Sequence, residues 1–216
     1  LYTHFADSDA YDVKFTRVQM KRFCGVINRL QEKGFNIPYV HMSNTAAALR
    51  FPESHHTMIR CGGALYGSYK DERFCEQATK RFPGFSLSTI LTLKARVIAM
   101  RTVPIGTPIG YSCSFKASRP MRLAIVSVGY YDGYDRRLSN KGCMLIRNKL
   151  VPIVGRVGMN MTTIDVTDIP HVAVGNEVTV IGDYPGIRLR DIANAMGVIE
   201  YEVMPPLNPA HPRFIV

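Results

Sequence analysis

Long apolar runs are absent from the sequence, and no stretch approaches the ~20 residues that cross a bilayer. A membrane-spanning segment is therefore not expected. The five cysteines show no Cys-x-x-Cys spacing, and their odd number argues against a disulfide framework. This usage favours the reducing cytoplasm, and no metal site is expected.

Acidic residues are few: 17 Asp and Glu stand against 27 Lys and Arg, which gives a net charge of +10. Such a balance makes nucleic acid a candidate partner, because basic side chains neutralise phosphates. The basic residues, however, are spread along the chain, with no long cluster and no recognised nucleic-acid motif. We therefore expect no nucleic-acid partner, and a generally basic surface or a small phosphorylated ligand fits better.

The chain has 216 residues, of which 46% are hydrophobic, enough for a core in one large domain or two small ones. It begins with Leu1 and shows no signal-peptide pattern. We expect the amino terminus to be cut or missing.

The first ~85 residues alternate strand-like and helical patterns. Strands are predicted over residues 1–5, 37–42 and 57–60, and helices from Val13 to a stop at Gly34 and over residues 45–50 and 71–82. This is a βαβαβα order. Three such units cannot close a (β/α)8 barrel. They form either a small open sheet or the end of a barrel whose beginning is absent, and the start within a strand favours the second.

The rest of the chain is mostly β, with a boundary near residues 83–88. Strands are predicted over residues 93–103, 110–115, 123–128, 143–146, 151–157, 162–166, 178–181 and 198–203, with one helix over residues 189–196. The predicted domains are residues 1–87, the barrel portion, and residues 88–216, a β-rich domain.

Polar residues and glycines follow the predicted barrel strands, at the end where barrel enzymes place their chemistry. Asn44 and Thr45 open a helix, where backbone N–H groups favour an anion, although both residues can simply cap it. Gly62 and Gly63 let backbone amides approach a ligand closely, although a glycine pair also makes an ordinary turn. Together these residues predict a phosphate site.

Tyr130 follows an apolar strand and precedes a turn rich in Gly and Asp. A phenol that exchanges protons at neutral pH needs nearby positive charge or hydrogen-bond donors. Arg136, Arg137 and Arg156 are close enough in sequence to supply them. The alternative is a tight aromatic turn without a chemical role.

Eight segments together give the chain a family resemblance. They are residues 2–6, 41–52, 60–67, 93–97, 128–134, 138–142, 151–159 and 199–203. In this order they resemble the carboxyl-terminal part of the alanine racemases that depend on pyridoxal 5'-phosphate. The resemblance implies the end of an (α/β)8 barrel followed by a β-rich tail domain, in a homodimer with shared active sites.

The resemblance also implies residue roles in cofactor binding. His4 would stack on the pyridine ring. Thr45 and the amides of Gly62 and Gly63 would hold the phosphate, which Tyr201 would reach from a tail strand. Arg60 would face the pyridine nitrogen, where its permanent charge disfavours ring protonation.

Racemisation needs proton transfer on both faces of Cα. By resemblance Tyr130 serves one face in the partner subunit's site, and Met159 approaches the carboxylate of a small amino-acid substrate. The opposing group in the family is the lysine that binds the cofactor covalently. No lysine of this sequence lies in the family's motif for the cofactor-binding lysine. Lys94 does lie in one of the resembling segments, but that segment belongs to the tail domain. The 216-residue chain alone is therefore expected to be inactive.

Several positions depart from the family pattern. Thr45 replaces a serine, Gly63 a larger aliphatic residue, and Ala210 an arginine, while Gly158 and Asn160 flank Met159 where Cys and Asp are usual. These departures leave open a racemase for serine or for a broader set of amino acids. From another class, a non-catalytic remnant that only dimerises is the alternative.

Overall fold

The computed structural model describes residues 1–69 and 72–215. The chain divides into two compact units, an amino-terminal unit, Leu1–Ile90, and a carboxyl-terminal unit, Leu91–Val216. None of the helices among the described residues is long and apolar enough to cross a membrane.

The amino-terminal unit contains three helices: α1, Lys14–Glu32; α2, Thr45–Arg50; and α3, Glu72–Arg81. α1 buries Thr16, Met20, Phe23 and Ile27, whose spacing places them on one helix face. Val18 and Val26, on the same helix, are exposed. The bounds of α2 are those predicted. The predicted start of the third helix, Asp71, lies outside the described residues.

Residues 1–5, 37–42 and 57–60 lie side by side but do not form regular strands. The first two share one parallel bridge, Tyr2 to His41. The third segment is joined to the second by a backbone hydrogen bond, in which the Arg60 amide donates to the Ser43 carbonyl at 3.0 Å. The three segments therefore lie beside one another as predicted. Too few of their backbone groups pair, however, for them to count as strands. Apolar side chains from these segments and the helices form the unit's core: Phe5, Met20, Phe23, Ile27, Val40, Met42, Ala47 and Phe51.

The carboxyl-terminal unit is built on antiparallel strands. They are β1, Leu93–Val103; β2, Pro108–Ile109; β3, Phe115–Lys116; β4, Met121–Val126; β5, Cys143–Ile146; β6, Lys149–Pro152; β7, Thr162–Asp165; and β8, Glu177–Ile181. Six of them form one sheet in the order β6-β5-β8-β1-β4-β7. An antiparallel bridge between Ile153 and Ile164 joins the two ends, so the sheet is nearly closed around its core.

Two predicted strands of this unit are wrong, and a third, residues 151–157, is a strand only at Val151 and Pro152, because β6 ends there. Residues 110–115 contain a 3-10 turn, Tyr111–Cys113, because Gly110 has a left-handed φ of 77° and its carbonyl accepts from the Cys113 amide. Residues 198–203 contain the 3-10 turn Glu200–Glu202. The amides of Glu202 and Val203 bond to carbonyls three residues back, so they are not available to a sheet. The preceding helix α4, Leu189–Met196, has the predicted bounds.

Candidate active site

The predicted phosphate residues come together in the amino-terminal unit. Asn44 caps α2, because its side chain accepts from the Ala47 amide at 3.0 Å. Thr45 is the first helical residue and is buried. Its hydroxyl oxygen accepts from the Gly62 amide at 3.0 Å, which holds the glycine pair against the start of α2. Gly63 is buried at the beginning of the next turn, Gly63–Tyr66.

Open space adjoins this pair of donors. A Cβ added at Gly62 would meet no other atom within 4 Å. The Gly62 amide is engaged by the Thr45 oxygen, so a phosphate oxygen would have to take over this donor, and the open side of Gly62 leaves space beside it.

Arg60 lies at the centre of a side-chain cluster. Its Nη1 contacts His41 Nδ1, and its Nη2 donates to the Thr3 carbonyl at 3.0 Å and lies 3.2 Å from His4 Nδ1. The guanidinium also stands over the Tyr2 ring, 5.8 Å from its centroid. His4 and Arg60, predicted from sequence as separate cofactor residues, are thus direct neighbours.

His41 and Tyr2 are members of this cluster to which the sequence assigned no role. Their rings stack, with centroids 5.3 Å apart and an angle of 6° between planes. Burial, and then the positive charge of Arg60, lower the pKa of His41. The neutral imidazole is therefore favoured, and its Nδ1 can accept from Arg60. The sequence signals for His41 were its place near the end of a predicted strand and at the start of the resembling segment 41–52.

The backbone at His4 is held by Gln19 of α1. Gln19 donates to the His4 carbonyl at 2.6 Å and accepts from the Ala6 amide at 3.1 Å. This pair of bonds fixes the backbone on both sides of Phe5, while the His4 side chain stays exposed.

In the carboxyl-terminal unit, Tyr130 opens a 3-10 turn, Tyr130–Asp132, after β4. Its amide donates to the Gly158 carbonyl at 3.0 Å, and the Tyr131 amide donates to the Met159 carbonyl at 2.9 Å. Two predicted residues, Tyr130 and Met159, are thus brought together by backbone bonds. Tyr130 is 43% exposed and Met159 53% exposed, so both side chains are accessible.

Gly129 makes this pairing of loops possible. A Cβ there would lie 2.3 Å from the Gly158 carbonyl oxygen and 2.4 Å from that of Met159. Only glycine allows so close a backbone approach.

The three arginines proposed as neighbours of Tyr130 differ in their surroundings. Arg137 forms a two-pronged pair with Asp135, at 3.1 and 2.8 Å. Hydrogen bonding to Arg137 lowers the pKa of the Asp135 carboxyl. Arg137 is therefore committed to that carboxylate. Arg136 and Arg156 are exposed, and among the described residues neither makes a hydrogen bond or ion pair with Tyr130.

Tyr201 lies on the 3-10 turn Glu200–Glu202 and is 52% exposed. The prediction that it projects from a tail strand is wrong, because that segment bonds locally and forms no ladder.

Comparison with known proteins identifies the family of the chain. The family model of the alanine racemase C-terminal domain matches residues 90–215, and that of the N-terminal domain matches residues 1–70. The chain belongs to the alanine racemase family. The resemblance inferred from the sequence is confirmed.

Individual relatives agree with the family assignment. An alanine racemase from Desulfosudis oleivorans is 38% identical over 215 residues, which are 99% of this chain and 54% of the relative. The chain thus spans about half the length of the curated relatives that it matches.

Solved structures show the same fold. Alanine racemase from Bacillus anthracis with bound L-Ala-P superposes with a TM-score of 0.83 at 32% identity, covering 96% of this chain and 52% of that one. The enzyme from Bartonella henselae with covalently bound pyridoxal phosphate gives a TM-score of 0.85 at 26% identity, covering 100% and 56%. The predicted fold class, the last part of a (β/α)8 barrel followed by a β-rich tail, is confirmed.

Proposed function

We propose that this chain forms the carboxyl-terminal part of a racemase that interconverts L-alanine and D-alanine with pyridoxal 5'-phosphate. The observation that carries the proposal is the meeting of Thr45 and Gly62 at 3.0 Å beside open space, in a chain of this family. Relatives with bound L-Ala-P and with covalently bound pyridoxal phosphate support the choice of substrate and cofactor. The resulting D-alanine would supply bacterial peptidoglycan.

The residues present fit the cofactor. Thr45 and the amides of Gly62 and Gly63 would hold the phosphate, and the exposed His4 ring would stack on the pyridine. Arg60 carries a permanent charge and is held in place by several acceptors. It would face the pyridine nitrogen and disfavour its protonation. Tyr201 is assigned to the phosphate by resemblance alone.

When bound, pyridoxal 5'-phosphate withdraws electrons from Cα of the amino acid attached to it and so makes the Cα proton acidic. Tyr130 would exchange that proton on one face of Cα, and the accessible Met159 side chain would lie beside the carboxylate. The covalent lysine of the family would serve the opposite face. Because none of the lysines here lies in the matching motif, the 216-residue chain alone is expected not to racemise alanine.

Two copies would share their active sites, with Tyr130 of one serving the cofactor of the other. The exposed pair of loops that carries Tyr130 and Met159 supports this arrangement, since both side chains face outward. We place the protein in the cytoplasm, because all five cysteines are free, as in a reducing compartment.

The test uses the chain joined behind the amino-terminal part of the Desulfosudis relative that precedes its matching region. We expect the visible absorbance of lysine-bound cofactor and the exchange of the alanine Cα proton for deuterium. Tyr130→Phe should lower racemisation by about 10²–10⁴-fold with the absorbance kept. Tyr131→Phe is the matched control, since the neighbouring tyrosine is also exposed but has no assigned role.

The outcomes separate the alternatives. Absence of the absorbance band would contradict cofactor binding and support a remnant that only dimerises, which sedimentation would detect. Faster exchange with serine than with alanine would favour the broader racemase suggested by Gly158 and Asn160. Equal activity of the Tyr130→Phe and Tyr131→Phe variants would overturn the role of Tyr130.

A further inference from the structure

The end of the chain packs against the turn that carries Tyr130. We call residues 205–211 the terminal segment. The Asn208 amide donates to the Asp132 carbonyl at 3.2 Å, and Asn208 Nδ2 donates to the Tyr131 carbonyl at 3.4 Å. Gly133 has a left-handed φ of 92°, and a Cβ there would lie 2.4 Å from the Pro206 carbonyl oxygen. The terminal segment therefore lies directly on the turn.

Asp132 joins the turn to this segment through its side chain. Its Oδ2 accepts from the Gly129 amide at 2.8 Å, which closes the turn at the residue before Tyr130. Its Oδ1 lies 3.3 Å from His211 Nε2. One carboxylate thus contacts both the start of the Tyr130 turn and the terminal segment.

His211 presents this nitrogen from a restrained position. The His211 amide donates to the Asn208 carbonyl at 3.2 Å, and Asn208 Oδ1 accepts from the Ala210 amide at 2.9 Å. Nε2 is shielded from solvent and, among the described residues, makes no hydrogen bond of standard geometry. A shielded polar nitrogen is costly unless it is compensated. Here the Asp132 carboxylate, whose side chain is 15% exposed, lies 3.3 Å away and supplies that compensation.

The Gly158 and Met159 carbonyls hold the turn from its other side. Within the turn, the Gly133 amide donates to the Tyr130 carbonyl at 3.2 Å. The Asp132 side chain adds the bond to the amide of Gly129, the residue directly before Tyr130, so losing that bond would loosen the turn where Tyr130 begins.

We propose that His211 is a positioning residue: through Asp132 it holds the Tyr130 turn in the geometry needed for proton transfer. The catalytic part of this inference rests on the proposed function of Tyr130, whereas the structural part concerns the chain by itself. His211 acts through Asp132 and not by contact with the substrate.

The first experiment measures backbone hydrogen exchange by NMR in the full 216-residue chain. His211→Leu should speed exchange at the Gly129 and Asn208 amides about fivefold, as expected for the loss of a partly shielded ion pair. His211→Gln, which keeps a donor near Nε2, should recover most of the protection. Arg213→Gln is the matched control, because it removes a positive charge two residues away from the contact and should change neither amide.

A double-mutant cycle tests whether His211 acts through Asp132. In an Asp132→Asn background, His211→Leu should give no further increase in exchange at Asn208. Additive effects would overturn the proposal, as would unchanged exchange at Gly129 in His211→Leu. If the leucine variant fails to fold, the same cycle with His211→Asn decides by the same criterion.

The second experiment uses the chain joined to the amino-terminal part of its relative. His211→Leu should lower kcat about fivefold, while KM for alanine and the cofactor absorbance stay unchanged. An effect on KM alone would contradict positioning of Tyr130. Complete inactivity of the unsubstituted protein would refute the proposed function, and the exchange measurements would still decide the role of His211.

Discussion

The Arg60 cluster and the Tyr130 turn are held in place by different kinds of bonds. Around Arg60, side chains contact one another and a nearby carbonyl: His41 lies at Nη1, and His4 and the Thr3 carbonyl lie at Nη2. Around Tyr130, backbone amides donate to backbone carbonyls of the Met159 loop. Polar side chains therefore determine the first arrangement, and close backbone packing determines the second.

The two regions therefore tolerate different substitutions. A cluster of titratable side chains responds to charge changes and to pH, because its bonds depend on protonation states. A pair of loops in backbone contact responds to the addition of a single methyl group.

Gly129→Ala should destabilise the carboxyl-terminal unit by about 3 kcal/mol, because overpacking at a rigid contact displaces backbone. The new Cβ would meet two carbonyl oxygens, at 2.3 and 2.4 Å. Urea unfolding followed by hydrogen-exchange mass spectrometry reports this change separately in peptides of each unit.

Gly25→Ala is the control for this substitution. A Cβ at Gly25 meets no other atom within 4 Å, and the residue lies inside α1, so the variant should be more stable by about 0.5–1 kcal/mol. Equal destabilisation by both substitutions would contradict a backbone contact specific to Gly129.

Arg60→Met should destabilise the amino-terminal unit by about 1.5 kcal/mol, since His41, His4 and Thr3 each lose a hydrogen-bond donor. Arg22→Met, at an exposed position of α1, should change stability by less than about 0.5 kcal/mol. The same unfolding measurement compares the two. A loss in Arg60→Met spread equally over both units would argue against a local cluster.

Acidification should weaken the amino-terminal unit. The pKa of His41 is lowered from its ordinary value of 6.5, by burial first and by Arg60 second. The unfolded chain therefore binds a proton more readily, so stability is present above pH 6.5 and is lost as pH falls through the lower folded pKa. The lowered pKa of His56, caused by burial, adds a loss of the same sign.

His41→Gln separates the two histidines. It removes the group that titrates beside Arg60 and should reduce the slope of stability against pH in this unit, measured by urea midpoints between pH 5 and pH 8. An unchanged slope would show that His41 is not the responsible group.

Sequence patterns predicted those features that depend on neighbouring residues. α2 and β5 were predicted with their observed bounds, because one begins at a capping asparagine and the other alternates buried and half-buried side chains. That Thr45 and Gly62 are neighbours was predicted because each follows one of two predicted strands, residues 37–42 and 57–60, that run side by side. The contact between Arg60 and His41 could not be predicted, since it joins residues 19 positions apart through side-chain packing. The final strand was wrong for a related reason: its apolar residues found no partner strand.

The smallest effect concerns the tight turn between β5 and β6. Arg147 and Asn148 there have left-handed φ values of 48° and 59°, the conformation of a type I′ turn, in which asparagine and glycine are preferred. Arg147→Asn should therefore stabilise the carboxyl-terminal unit by about 0.5 kcal/mol, because asparagine adopts this conformation with less strain than arginine. Lys149→Asn, on the adjoining strand, is the control and should be destabilising, since asparagine is unfavourable in strands. If Arg147→Asn raises the stability and Lys149→Asn lowers it, backbone conformation determines stability in this unit away from Tyr130 as well. Equal effects on stability would restrict that conclusion to the contact between the Tyr130 and Met159 loops.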